Sequence, residues 1–260
     1  MNTDTRSGHL DIDGARLEYR WFGAPHAAGA DIVLLHEGLG SLAMWKAFPG
    51  QLAAATGRRV FAYSRQGYGA SRPIVTRREP DYMHVEAEAV LPQVLEAAWI
   101  DRPILFGHSD GASIALLYAA AHPNGAAALI LEAPHVFVEP MTIASISATG
   151  PVFETTDMPA KLARYHDDAD AAFRAWRGVW LGPRFRNWNI EAGLEAIACP
   201  TLMIQGLDDE YGSRAQLDAI TARMPQARTV MLERCGHSPH RDQTEKVLDL
   251  SRGFIAEEAP

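Results

Sequence analysis

The segment Gly107-His-Ser-Asp-Gly111 constrains the fold of this chain more than any other feature. It directly follows the apolar run Pro103–Phe106 and opens an alanine-rich stretch that predicts a helix from Ser109 to His122. A serine on a sharp turn between a strand and a helix has a strained backbone, so it needs small neighbours, and the two glycines provide them. The segment therefore predicts a serine presented at the end of a strand, in a sheet that carries helices.

Apolar runs and helical segments alternate along the chain, which favours a parallel sheet with crossover helices. The beginning differs, because two alternating segments between Leu10 and Phe22 flank Asp13-Gly14 and predict a hairpin. We expect an α/β fold with a mostly parallel, doubly wound, eight-stranded sheet. Further strands are predicted at 31–36, 59–63, 103–106, 127–131, 201–204 and 228–232, and helices at 45–55, 80–99 with a kink at Pro92, 109–122, 213–224 and 243–256.

The alternation stops between about Pro134 and Cys199. We interpret residues 135–198 as a small helical cap inserted after the sixth strand of a single domain, 1–260. Its aromatic side chains either pack within the cap or line a modest apolar pocket. Trp176 and Trp180 are candidates for contact with a substrate.

Composition excludes several classes of partner. The formal charge is −8, from 24 Lys and Arg against 32 Asp and Glu, which disfavours nucleic acid and anionic membrane surfaces. The two cysteines, Cys199 and Cys235, lack metal or redox spacing, and the start, Met1–Gly8, is polar. We expect a cytoplasmic monomer or homodimer with a small-molecule substrate.

A serine hydroxyl becomes a useful nucleophile only when a base removes its proton and a carboxylate orients that base. Gly206-Leu-Asp208-Asp209 and Cys235-Gly-His237 each follow a predicted strand, at the edge where such sheets bind ligands. The residues therefore favour a Ser109, His237 and Asp set, with either Asp208 or Asp209 as the acid.

Two further segments carry a resemblance to a known family. His36-Glu-Gly-Leu-Gly40 and Ser64-Arg-Gln-Gly-Tyr-Gly-Ala-Ser71, together with the serine turn, resemble motifs of the α/β-hydrolase family over about residues 10–256. Glu37 stands where that family usually has glycine. The resemblance implies Ser109 as nucleophile, His237 as base, Asp209 as acid, and the backbone N–H groups of Gly38 and Asp110 as the oxyanion hole.

Two carboxylates near this predicted site have open roles. Asp110 either turns into a local hydrogen bond or meets a polar or cationic group of the substrate. Glu37 either shares a proton with Asp110 or bonds to backbone or to an arginine such as Arg65. Glu37, His108 and Ser238 are further candidates for substrate contact.

Histidine spacing argues against a metal. His36-Glu37 is followed at the fourth position by Gly40 rather than histidine, and His240 lies near His237 in a segment that does not read as a ligand-bearing helix. We expect no metal and no cofactor.

These features predict a serine hydrolase that cleaves a small carboxylic ester, thioester or lactone. Two alternatives remain: a hydrolase that breaks a carbon–carbon bond of a vinylogous diketone, and a ligand-binding protein that keeps the fold without turnover.

Overall fold

An eight-stranded sheet forms the centre of the protein, in a computed structural model that describes residues 6–259. The strand order is β1-β2-β4-β3-β5-β6-β7-β8. β2 pairs antiparallel with β1 and β4, and the other pairs are parallel. The predicted fold class is confirmed. The strands are β1 (Ser7–Ile12), β2 (Ala15–Phe22), β3 (Ile32–Leu35), β4 (Val60–Tyr63), β5 (Ile104–His108), β6 (Ala128–Glu132), β7 (Thr201–Gly206) and β8 (Arg228–Leu232).

The predicted hairpin joins β1 to β2. Asp13 and Gly14 both have positive φ, 47° and 77°, which is the backbone of the two-residue turn that matches strand twist. Ile12 pairs with Ala15 across the turn, as expected. The expectation of a cytoplasmic protein used the polar segment Met1–Gly8. Residues 1–5 of that segment lie outside the described residues.

Helices cover both faces of the sheet, and the sheet separates two apolar clusters. The parallel strands β3, β5 and β6 are buried along their whole length, as their apolar runs predict. The α-helices are α1 (Phe48–Thr56), α2 (Tyr82–Val85), α3 (Leu91–Ala97), α4 (Asp110–Ala121), α5 (Pro140–Thr155), α6 (Met158–Leu162), α7 (Ala169–Trp180), α8 (Arg214–Arg223), α9 (Pro239–Asp242) and α10 (Thr244–Glu258).

The helix expected over 80–99 is divided. A π-helical turn, Glu86–Val90, separates α2 from α3, and Pro92 lies in the first turn of α3. Proline has no N–H to donate, and its ring collides with the carbonyl four residues earlier, so the preceding turn widens. The kink was predicted, but the structure places the irregular turn before the proline.

Three α-helices and a 3₁₀ turn, Glu191–Ala196, lie between β6 and β7. We call residues 133–200 the β6–β7 insertion. In α7 the apolar side chains face inward, and the ring of Phe173 stacks on Phe153 of α5 at 3.9 Å. The Asp168 carboxylate caps α7 by accepting from the amide of Ala171. The buried apolar side chains of the insertion join the core cluster on one face of the sheet.

No α-helix within residues 6–259 combines the length and the apolar character that crossing a membrane requires.

Candidate active site

Ser109 lies between β5 and α4 with φ 54° and ψ −117°. This backbone conformation is the one that type II′ turns normally give to glycine, so the serine is held under strain. Its glycine neighbours are required by close packing: a Cβ on Gly111 would overlap the Leu35 carbonyl oxygen, and a Cβ on Gly107 would overlap the backbone of Gly111. The predicted strand–turn–helix arrangement is confirmed.

The Ser109 hydroxyl lies next to a histidine that the sequence analysis did not single out. Ser109 Oγ is 3.2 Å from Nε2 of His135, which follows β6, and both side chains are buried. Within residues 6–259, Ser109 makes no hydrogen bond to His237. The rings of His135 and His237 stack, with centroids 5.8 Å apart. One imidazole, that of His135, thus contacts Ser109, and the imidazole of His237 stacks on it.

Asp209 accompanies the His237 imidazole. Asp209 Oδ1 is 2.9 Å from His237 Nδ1 and also accepts from the amide of Tyr211 at 2.8 Å. Burial alone would raise the pKa of Asp209, but hydrogen bonding and the charge of His237 bring the pKa below its usual value. Asp208 is exposed and contributes a backbone N–H to the Cys235 carbonyl. The geometry thus favours Asp209 over Asp208 as the partner of His237.

Gly38 and Asp110 face each other beside Ser109. A Cβ on Gly38 would lie 3.0 Å from the Asp110 carboxylate and even closer to the Trp176 indole nitrogen. Among the described residues no hydrogen bond is donated by the Gly38 amide, and the amide of Asp110 is the first of α4, where no intrahelical acceptor exists. Both N–H groups are available to a substrate oxygen.

The Asp110 carboxylate turns into local contacts, one of the two roles considered from the sequence. It accepts from the Tyr82 hydroxyl, and the Arg65 guanidinium lies 4.0 Å away. Burial raises the pKa of Asp110, although Arg65 and Tyr82 favour its charged form. The negative charge of the Asp110 carboxylate is therefore stabilised within the protein, by Tyr82 and Arg65.

Arg65 anchors the loop after β3. It donates to the carbonyls of His36 at 2.6 Å and Glu37 at 2.9 Å. One of the alternatives considered for Glu37, a contact of its carboxylate with Arg65, is not observed among the described residues, because Arg65 binds the main chain of Glu37. The carboxylate lies 3.5 Å from His108 Nδ1 instead. Glu37 and Asp110 thus have separate partners, and neither needs a shared proton.

His108 links this loop to the His237 loop. Its Nε2 lies 2.7 Å from the His237 carbonyl and donates to it. Burial would lower the pKa of His108, but the Glu37 carboxylate raises it to about 9, so the imidazole is charged at neutral pH. The Glu37 pKa is lowered by the same contact, against the effect of burial. The charged pair ties two site loops together.

This pair predicts a pH-dependent stability. The folded pKa of His108 lies above the value of about 6.5 for an unfolded histidine, so its contribution is complete below that pH and is lost as pH rises through 9. We expect His108→Gln to lower the Tm at pH 6 by about 5 °C, from a loss on the order of 2 kcal/mol, and by much less at pH 9.5. Thermal unfolding of both proteins at the two pH values measures this, and an equal Tm difference at both would contradict it.

A cavity of about 140 Å³ opens onto Ser109. Three predicted contact residues, Glu37, Trp176 and Trp180, line it. His108 and Ser238 do not: His108 is buried behind Glu37, and Ser238 lies at the start of α9, where its carbonyl accepts from the amides of Arg241 and Asp242. The remaining walls are Gly38, Leu39, Asp110, His135, Thr142, Ile146, Thr149, Met158, Tyr211 and His237.

His240 is paired within the protein. Its Nδ1 lies 2.6 Å from the buried Glu132 carboxylate, and its ring packs on Trp45. In the described part of the chain, no three His, Cys, Asp or Glu side chains come together in a way that could hold a metal ion.

Comparisons with known proteins agree with this fold. The sequence profile of the Alpha/beta hydrolase family matches residues 32–250, and the chain belongs to that family. A Variovorax paradoxus (strain S110) protein that carries the provisional name carbamate hydrolase RutD is 30% identical over 205 residues, 70% of this chain and 75% of that one. The 2-hydroxy-6-oxo-6-phenylhexa-2,4-dienoate hydrolase of Burkholderia cepacia is 22% identical and covers 88% of each chain.

A solved structure shows the same fold. The enol-lactonase from Burkholderia xenovorans LB400 superposes with a TM-score of 0.74 at 19% identity, over 96% of this chain and all of that one. The chain is thus a member of the α/β-hydrolase family, and the two relatives named above are hydrolases by name.

Proposed function

We propose that this α/β hydrolase is a serine hydrolase that cleaves a small carboxylic ester, thioester or lactone through an acyl-enzyme. The observation that carries the proposal is the strained Ser109 at a cavity that is also lined by His237, which in turn is paired with Asp209. A nucleophile, an oriented base and a pocket are the parts that acyl transfer requires.

In the first step, Ser109 Oγ attacks the carbonyl carbon as its proton passes to His237 Nε2. The C–O electrons move onto the carbonyl oxygen, and the amides of Gly38 and Asp110 stabilise that charge, each by about 3 kcal/mol. As the tetrahedral intermediate collapses, the bond to the leaving group breaks, and His237 gives the leaving oxygen or sulfur its proton. Water then repeats the sequence on the acyl-enzyme, with His237 as base, and releases the acid and Ser109.

Asp209 supports His237 in both steps. Its hydrogen bond to Nδ1 leaves Nε2 free to act as the proton acceptor. The proposal requires the Ser109 hydroxyl to direct its proton to His237 when substrate is bound. Such hydrogen bonds are often loose in empty sites and tighten in the complex.

The cavity limits the size of the acyl group that the substrate can carry. Its volume of about 140 Å³ is close to that of a cavity that holds benzene, so the pocket suits a group of about four to six carbon atoms. Ile146, Met158 and Trp176 make its walls largely apolar. We therefore propose a short-chain or single-ring acyl group.

Carbon–carbon bond hydrolysis is the second candidate. It is supported by the similarity to the Burkholderia cepacia hydrolase along most of the chain. Activity on a vinylogous diketone in the absence of activity on esters would favour it.

The proposal predicts turnover of p-nitrophenyl butyrate, with lower kcat/KM for the octanoate ester because the longer chain exceeds the cavity. A fluorophosphonate should stop this turnover and add one adduct, which fragmentation of the labelled peptide assigns to Ser109 rather than to the nearby Ser113. Turnover without an adduct on Ser109 would contradict the acyl-enzyme. Labelling without turnover of any ester, thioester or lactone would favour the ligand-binding alternative.

A further inference from the structure

The nucleophile has a second histidine beside it. Ser109 Oγ and His135 Nε2 are 3.2 Å apart, and the side chain of His135 is only 2% exposed. His135 touches no carboxylate within residues 6–259, whereas His237 is paired with Asp209. The two imidazoles therefore differ in what they can do for the serine.

The backbone holds His135 firmly in this place. Ser113, one helical turn after Ser109 on α4, donates its hydroxyl to the His135 carbonyl at 2.6 Å and accepts from the His135 amide at 3.3 Å. The imidazole edge packs against the Trp180 ring, with centroids 5.4 Å apart. The helix that carries the nucleophile thus also fixes the histidine that contacts it.

His135 is a neutral imidazole across the working range of pH. Burial and the nearby His237 lower the pKa of His135 to about 3. It therefore carries one N–H and one lone pair. A base this weak, without a carboxylate to support it, is a poor acceptor for the proton of a serine.

The surroundings of the other ring nitrogen indicate which one carries the proton. His135 Nδ1 is buried and has no hydrogen-bond partner in the described part of the chain. This edge of the ring lies near Gly212, where a Cβ would be 3.6 Å from Nδ1. A buried N–H without an acceptor is rarer than a buried lone pair without a donor. The proton therefore belongs on Nε2, where Ser109 Oγ accepts it.

We propose that His135 is a positioning residue of the nucleophile, which donates its Nε2–H to Ser109 Oγ so that the serine proton is directed to His237. The same N–H stabilises negative charge on Oγ as the proton leaves and again when the acyl-enzyme is cleaved. This role rests on the proposed serine-hydrolase function, because it requires Ser109 to be the nucleophile.

Three variants separate donation from packing. The Gln amide of His135→Gln can place an N–H where Nε2 lies, the shorter His135→Asn reaches only to the Nδ1 position, and His135→Phe fills the space without a donor. We expect the Phe and Asn variants to lose on the order of 100-fold in kcat for p-nitrophenyl butyrate and in the rate of fluorophosphonate labelling, with KM nearly unchanged. The Gln variant should remain within about tenfold of the wild type.

Equal activity of the Phe variant and the wild type would overturn the proposal. A Gln variant as slow as the Phe variant, with the same Tm, would assign His135 to packing alone. A wild type that neither turns over esters nor reacts with the phosphonate would instead contradict the proposed function.

Nuclear magnetic resonance of the wild-type protein tests the proton position without any activity. In protein labelled with ¹⁵N-histidine, His135→Gln identifies the His135 signals by their loss. We expect the pattern of an imidazole protonated at Nε2, unchanged between pH 5 and 9. A proton on Nδ1, or titration within that range, would overturn the proposal even if the variants were slow.

Discussion

Replacing Ser109 by alanine or by glycine is expected to abolish ester turnover, with a loss on the order of 10⁵-fold or more in kcat. The two variants should differ in stability. At φ 54° and ψ −117° a residue with a Cβ is strained, whereas glycine adopts this conformation readily. We expect Ser109→Gly to be more stable than Ser109→Ala by about 1 kcal/mol, or about 2–4 °C in Tm. Steady-state kinetics and thermal unfolding of both variants measure the two effects.

The comparison of Gly with Ala controls for the lost hydroxyl, because both variants lose the contact with His135. A Ser109→Ala protein with wild-type turnover would contradict the nucleophile assignment. A Ser109→Ala protein more stable than Ser109→Gly would show that the turn is not strained in solution.

Replacing Asp209 by asparagine is expected to lower kcat/KM on the order of 10⁴-fold, because an amide no longer stabilises the protonated imidazole and favours the wrong tautomer. Asp208→Asn is the matched control. It removes the same charge one residue earlier, but the Asp208 side chain is exposed and only its backbone N–H is engaged, with Cys235. We expect the control to change kcat/KM less than about threefold.

Kinetics with p-nitrophenyl butyrate, together with Tm values, decide this prediction. A loss in Asp208→Asn that matches the loss in Asp209→Asn would show that charge on this loop matters more than contact with His237. Activity in Asp209→Asn close to that of the wild type would remove Asp209 from the mechanism.

The positions of the strands along the chain were largely predictable from the sequence because local patterns encode them. Each buried parallel strand is a continuous apolar run, and the hairpin has a turn that only residues such as Asp13-Gly14 adopt easily. The division of the helix over 80–99 was harder to place, since Pro92 marks a disturbance but not the turn that absorbs it.

The site was only partly predictable, because several contacts join residues far apart in the chain. Arg65 and Tyr82 contact Asp110 from other parts of the fold, and no local sequence motif predicts these contacts. The sequence did contain a signal that could have identified His135 as a site residue. His135 follows β6, which pairs with β5, so the rule that drew attention to Asp209 and His237 at strand ends applies equally to it.

The position of His135 also matters for protein engineering. It lies at the root of the β6–β7 insertion, while Trp176 and Trp180, farther along the same insertion, line the cavity. Grafting this segment from a relative to alter substrate preference would exchange the residue that touches Ser109 Oγ at the same time. Chimaeras of this chain should therefore join after residue 135 if a change of pocket is to be separated from a change in the reactivity of the serine.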